Sequence, residues 1–163
     1  MDTPKLEAIL QRNAVVQETF IGVFALDHLP SRSDLNYLQK QREEARYPNR
    51  WFLICNCCPS MKTGRHWIAV FYDEGSVEFF DSFALSPDAY DKRLTTFLLQ
   101  TSGAGEVICN TEPLQALESD ACGHYCVLFG VTRSRGDTFR SFVNEITALT
   151  RDNLIKFIVN TLL

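Results

Sequence analysis

The chain has 163 residues, 45% hydrophobic and 22% charged, a size and balance that suit one domain, residues 1–163, with a single sizeable core. Sixteen Lys and Arg stand against twenty Asp and Glu, a formal net charge of −4, so the overall basic charge that drives sequence-independent nucleic-acid binding is lacking. No apolar run reaches the length of a membrane span, no repeat or low-complexity tract interrupts the chain, and the N-terminus lacks a signal peptide's apolar core; intracellular or particle-enclosed residence is expected, without membrane association.

In chain order, Thr3 as N-cap and Pro4 at the first helical position predict a short amphipathic helix with Leu6, Ile9 and Leu10 on one face. Residues 20–26 read as a strand or extended chain. Residues 29–48 form a polar, charge-rich connection, partly helical around 35–46, which either walls a substrate groove or is a solvated excursion. A strand over residues 51–56 carries Cys55, with Cys57 and Cys58 at its end. Two apolar strands surround the turn Asp73-Glu74-Gly75-Ser76. Ser86 and Pro87 then open a helix to about Gln100, closed by residues 101–105. Val107-Ile108-Cys109 is a short strand, residues 133–137 form a turn, and two amphipathic helices close the chain at about 138–149 and 151–162. The sum is an α+β fold, a mixed central β-sheet flanked by helices.

Six cysteines without a secretion signal read as reduced thiols, and the Cys55-Asn56-Cys57-Cys58 cluster lacks a second ligand pair at zinc spacing, so no metal is expected. Cys122 stands apart. In residues 114–130, a loop with Gln115 leads into Ala121-Cys122-Gly123, which opens an apolar helix. Unpaired N–H groups and the positive dipole end at a helix start favour thiolate, the nucleophilic form. By itself a Cys in an apolar helix is more often a structural residue. Cys126, one turn on, reads as packing, and His124 lies on a different helical face from the thiol.

The hairpin supplies the partners. If its turn has an even number of residues, Tyr72 faces Val77, Ile68 faces Asp81 and His66 faces Phe83, which makes His66 and Asp81 diagonal neighbours on one face. One extra loop residue would reverse the parity and present Asp73 instead. With Cys122 as attacking thiolate, His66 takes and returns the proton and Asp81 holds the imidazole by its other nitrogen.

His66-Trp67, the acid in Phe79-Phe80-Asp81-Ser82-Phe83, Gln115 and Cys122-Gly123 follow one another in an order that resembles the adenovirus-type cysteine proteases, which share a core fold with the ubiquitin-like-protein proteases. Gln115 lies seven residues before Cys122 and Cys126 four after it, as in that branch, and the Gly-containing segment of residues 20–30 is also similar to it. The resemblance spans residues 20–130. One departure is the acid, usually Glu in the adenovirus branch, whereas Asp81 is what the ubiquitin-like-protein branch uses.

The resemblance implies a papain-like, adenain-like cysteine protease core, in which the Gln115 amide and the Cys122 N–H hold the oxyanion. Small Gly123 would let a substrate backbone approach, and Trp67 would flank a narrow tunnel for Gly-Gly-type ends. It further implies an endopeptidase that matures viral or virus-like precursor proteins at Gly-containing sites, in a virion, host nucleus or cytoplasm. The alternatives are a protease that removes a ubiquitin-like modifier, or a catalytically silent binding domain; the set of His66, Asp81, Gln115 and Cys122 argues against the last. Adenovirus enzymes also use DNA and a small basic peptide as activators, the peptide held by a disulfide. Here the charge does not support DNA, and Cys109, the nearest candidate for the disulfide, lies only six residues before Gln115. No other cofactor is implied.

Overall fold

The computed structural model describes residues 1–41, 49–57, 66–103, 105–149 and 152–162. Its elements in chain order are α1 (Thr3–Arg12), β1 (Phe20–Ala25), α2 (Arg32–Gln41), β2 (Arg50–Asn56), β3 (Trp67–Asp73), β4 (Ser76–Phe80), α3 (Lys92–Ser102), β5 (Val107–Cys109), α4 (Cys122–Arg135), α5 (Phe139–Leu149) and α6 (Asp152–Leu162). The strands form one sheet in the order β1-β2-β3-β4-β5. The outer pairs β1–β2 and β4–β5 are parallel and the inner pairs β2–β3 and β3–β4 antiparallel. This is the mixed-sheet α+β architecture that the residue pattern predicts.

Both faces of the sheet are covered, which is why β2 and β3 are apolar at nearly every position rather than alternating. On one face Phe52, Ile54, Ala69, Phe71 and Phe80 pack with Tyr125, Val127 and Phe129 of α4, Leu6 and Leu10 of α1, and residues of α5 and α6. On the other, Trp51, Leu53, Ile68, Val70, Val77 and Phe79 pack with Leu94, Phe97 and Leu98 of α3 and Leu35 of α2. Helix α4 is buried on all sides and fixes the first layer: the Phe129 ring stacks on Phe80 at 4.9 Å and meets Phe142 edge-on at 5.3 Å. At Gly130 the helix comes so close to β2 that an added Cβ would fall 2.2 Å from the Phe52 ring.

The hairpin has the even register: Tyr72 pairs with Val77 and Asp73 with Ser76. Its two turn residues, Glu74 and Gly75, both have positive φ, 49° and 100°, the geometry that matches the twist of a two-residue hairpin.

Four boundaries differ from expectation, each for a local reason. Helix α1 is capped by Asp2 rather than Thr3, because the Asp2 carboxylate accepts from Lys5 N–H at 3.0 Å. Helix α2 begins at Arg32, ahead of residue 35, because Ser31 and Asp34 cap one another: Ser31 N–H donates to Asp34 Oδ2 and Asp34 N–H to Ser31 Oγ. The expected continuation to residue 46 lies outside the described residues. Ser86 and Pro87 open only a 3-10 turn (Pro87–Ala89), and α3 starts at Lys92 with Asp91 as its cap, since Tyr90 is extended between the two. The turn expected at 133–137 is mostly helix: α4 runs to Arg135, and Gly136 ends it at φ 103°. Arg133 stays helical with its guanidinium buried, donating to Glu78 at 2.6 and 2.9 Å and lying over the Phe71 ring. Among the described residues, no helix is long and apolar enough to cross a membrane.

Candidate active site

His66 directly precedes β3 and Asp81 directly follows β4, so the hairpin register delivers both to one end of the sheet. His66 Nε2 lies 2.8 Å from Asp81 Oδ1. Cys122 is the first residue of α4, which packs across β3, and its side chain meets His66. The imidazole thus stands between thiol and carboxylate, and the other ring nitrogen, Nδ1, is buried without a protein oxygen or nitrogen partner. Asp73, the rival acid, is turned away and held by Arg50 at 2.7 and 2.9 Å.

Electrostatics sharpen this placement. Burial alone would lower the His66 pKa, but hydrogen bonds to Asp81 and Cys122 together outweigh it and raise the imidazole to about 9. For Cys122 burial would raise the thiol, yet the His66 hydrogen bond, backbone N–H groups of Trp67 and Gly123, and the His66 charge bring it below its ordinary value. The N-cap Ala121 supplies no side chain to the helix start, so the first N–H groups of α4 stay open toward the site. Cys126, by contrast, is fully buried with its Sγ donating to Trp67 O at 3.4 Å, and burial pushes its thiol well up. His124 faces Asn160 at 3.3 Å and is lowered to about 4 by burial.

Gln115 is also buried and adjoins the same centre. Its Nε2 donates to Ser119 O at 2.6 Å and its Oε1 accepts from Ser82 Oγ at 2.7 Å. One Nε2 hydrogen is thereby used, and Nε2 carries a second. Trp67 is 4% exposed, its indole N–H donating to Met1 O at 3.0 Å. Gly123 sits against it: a Cβ there would lie 3.3 Å from Trp67 Cδ1 and 3.2 Å from Met1 Cβ. The side of Gly123 expected to admit a substrate backbone thus faces Met1, Leu6 of α1 and Trp67 instead, and the indole is packed inward in the core.

Three residues that the sequence reading passed over complete the surroundings. Tyr90 donates its hydroxyl to Asp81 Oδ2 and stacks on the His66 ring at 6.2 Å and 13°. Burial first, then Asp81, push its phenol above the ordinary range. Asn110 grips the Asp81 backbone from both sides, accepting from Asp81 N–H at 3.1 Å and donating to Asp81 O at 2.7 Å. Ser82 joins Asp81 to Gln115. Only the Asp-Ser dipeptide after an apolar strand hinted at any of these.

The expected cysteine cluster has no such geometry: the Cys55 thiol points at Asn56 O and is pushed up to about 12 by burial, and Cys58 lies outside the described residues. Among the described residues no group of three or more His, Cys, Asp or Glu could hold a metal ion. Cys55, Cys109, Cys122 and Cys126 are free thiols.

Compared by sequence, the chain matches no protein-family model and no curated protein. Compared by structure, it is similar to several solved proteins at low identity. A protease of ASFV superposes with TM-score 0.61 at 19% identity, over 97% of this chain and 65% of that one. The Ulp1 protease domain, solved in complex with Smt3, the yeast ortholog of SUMO, superposes with TM-score 0.55 at 13% identity, over 98% of this chain and 76% of that one. The central domain of the Legionella pneumophila protein Lpg1148 superposes with TM-score 0.54 at 12% identity, over 98% and 94%. At these identities the likeness establishes the fold, and that fold is the one of the Ulp1 type of cysteine protease.

Proposed function

We propose that this chain is a cysteine endopeptidase that cleaves viral or virus-like precursor proteins at Gly-containing sites, with Cys122, His66 and Asp81 as triad and Gln115 as oxyanion donor. The observation that carries the reading is the imidazole of His66 bound between Asp81 Oδ1 at 2.8 Å and a Cys122 thiol of lowered pKa. In this reading the thiolate attacks the scissile carbonyl carbon. The oxyanion forms against the Gln115 Nε2 hydrogen and the Cys122 N–H, and His66 Nδ1 gives its proton to the departing amine as the C–N bond breaks. Water, deprotonated by the same nitrogen, then hydrolyses the thioester and returns the thiol. Trp67, directly after His66, flanks the site in this reading and favours small residues before the cut.

A second reading, cleavage of a ubiquitin-like modifier from its conjugate, is favoured by one feature of the chain, the Asp at position 81, and by the fold shared with a protease solved on Smt3. Profiling on a peptide library beside ubiquitin-like fusion substrates separates the two. Turnover of Gly-containing peptides with no gain from a folded modifier supports the endopeptidase. Cleavage of fusions alone overturns it in favour of the deconjugase, and no turnover of either overturns both.

A further inference from the structure

Between the acid and the oxyanion donor lies a residue with no part in the triad. Ser82 is fully buried and follows Asp81 directly. Its backbone carbonyl accepts from both Leu114 N–H at 2.8 Å and Gln115 N–H at 3.0 Å, which pins the loop that carries the amide. Its hydroxyl lies 2.7 Å from Gln115 Oε1.

The rotation of the Gln115 carboxamide decides whether the site can hold an oxyanion, because one edge of the group donates and the other accepts. The Ser119 carbonyl, 2.6 Å from the amide, carries no proton, so the atom facing it must be Nε2. Oε1 then faces Ser82, whose hydroxyl must donate. Turned by 180°, the amide would set its oxygen against the Ser119 carbonyl, which opposes the turn, and would exchange the bond that Ser82 donates to Oε1 for one that it accepts. We propose that Ser82 is the positioning residue of the oxyanion donor: the Ser119 carbonyl selects the rotation of the Gln115 amide, and the Ser82 hydroxyl, donating to Oε1, holds the amide still in that rotation, in which Nε2 carries the hydrogen offered to the oxyanion. Acid and oxyanion donor are thereby set by adjacent residues of one turn, and the Asp81 carbonyl closes that turn by accepting from Ala84 N–H at 2.8 Å.

The inference rests on the reading of Gln115 as oxyanion donor, and a double-mutant cycle separates the two. Ser82→Ala keeps the backbone carbonyl that anchors the loop and removes only the hydroxyl. Its peptide kcat should fall about tenfold to a hundredfold, less than the ~10²–10³ of a removed oxyanion donor because the amide is loosened and not lost, with KM changed by less than about twofold. The rate of Cys122 alkylation by iodoacetamide and its pH dependence should stay at wild-type values, because thiol, His66 and Asp81 are untouched; a merely structural role would move both. On a Gln115→Ala background, Ser82→Ala should cost nothing further. Full activity of Gln115→Ala overturns the Gln115 reading itself. A large Gln115→Ala loss to which Ser82→Ala adds in full overturns the Ser82 inference alone. If the Ala variant does not fold, Ser82→Thr and Ser82→Val replace it, being alike in shape and different in the hydroxyl; equal turnover of the two overturns the inference.

Discussion

The Tyr90 hydroxyl donates to Asp81 Oδ2, the carboxylate oxygen that His66 leaves open. Phe83 N–H donates to the other oxygen at 2.8 Å, so Asp81, with no exposure to solvent, has a donor on every side of its charge. Buried carboxylates need that compensation to stay ionised. Tyr90→Phe keeps the ring over the imidazole and removes one donor. Turnover should fall about tenfold, the rate equivalent of one hydrogen bond to a charged group. The alkaline limb of the pH profile should move up, since more of the Asp81 charge is then directed at the His66 imidazolium. A loss of turnover with an unmoved profile would reduce Tyr90 to packing.

Asp81→Asn acts through tautomers. With its carbonyl oxygen in the Oδ2 place the Asn would keep the Tyr90 donor, and its NH2 in the Oδ1 place would lose the bond from Phe83 N–H and face His66 Nε2. That nitrogen would then have to accept, the proton would sit on Nδ1 facing Cys122, and the neutral ring could no longer take the thiol proton. Peptide turnover should fall by up to about 10⁴. Asp73→Asn should leave turnover nearly intact and instead lower the melting temperature. It weakens the ion pairs with Arg50 and, at 3.4 Å, with Arg133, a stability loss of about 1–2 kcal/mol for a half-buried network. Reversed outcomes in the two assays would mean that the acid is Asp73.

The contrast between these two aspartates also marks what was legible in the sequence. Strand alternation and an Asp-Glu-Gly-Ser turn narrow the hairpin to two parities, and the even one, Tyr72 to Val77, which the structure adopts, places His66 beside Asp81. Cys122 at a helix start was legible from the apolar run that follows it. Ser82, Tyr90 and Asn110 were not, because their roles depend on contacts of 9 to 33 residues' separation that no periodicity encodes. The start of α3 was misplaced for the same reason: Ser-Pro is a sound helix opening locally, but Tyr90 is drawn extended onto Asp81 and the helix has to begin again at Asp91. Arg133 read as part of a polar turn, since nothing nearby in sequence announces Glu78, its partner on the β4 strand beneath α4.

Opposed pKa shifts at the centre make the reactive pair visible by pH. Cys122 is lowered and His66 raised to about 9, so the thiolate–imidazolium pair exists over the window between them. Alkylation by iodoacetamide should pass its midpoint below the pH of about 8.5 at which an ordinary cysteine ionises. Peptide turnover should decline as the pH passes about 9, where His66 loses the proton that the leaving amine needs. The adduct should map to Cys122. Cys122→Ala and His66→Ala should each abolish turnover, whereas Cys126→Ala, which removes a thiol buried against Trp67 O, should keep most of it. An adduct on Cys55 or Cys109 whose formation kills activity would overturn the assignment.

Activation is the point at which this chain is expected to part from the adenovirus enzymes it resembles. Their DNA cofactor needs a basic surface, and the cations that might supply one here lie around the connection before β2. Of these, Lys40 is exposed on α2, Arg50 is bound by Asp73 through both carboxylate oxygens, Arg42 and Arg46 lie outside the described residues, and the same stretch carries Glu43 and Glu44. A net charge of −4 opposes counterion-driven binding over the rest of the surface. A disulfide-linked peptide fares no better at Cys109, whose thiol is half-buried and pushed up by that burial, and so is a poor thiolate for exchange. Turnover of a fluorogenic Gly-containing peptide at low salt should therefore change by less than about twofold on adding duplex DNA. The measurement is repeated at rising salt, because any true phosphate contact must weaken steeply as ions compete. A large stimulation that salt abolishes would show that a local basic surface outweighs the net charge.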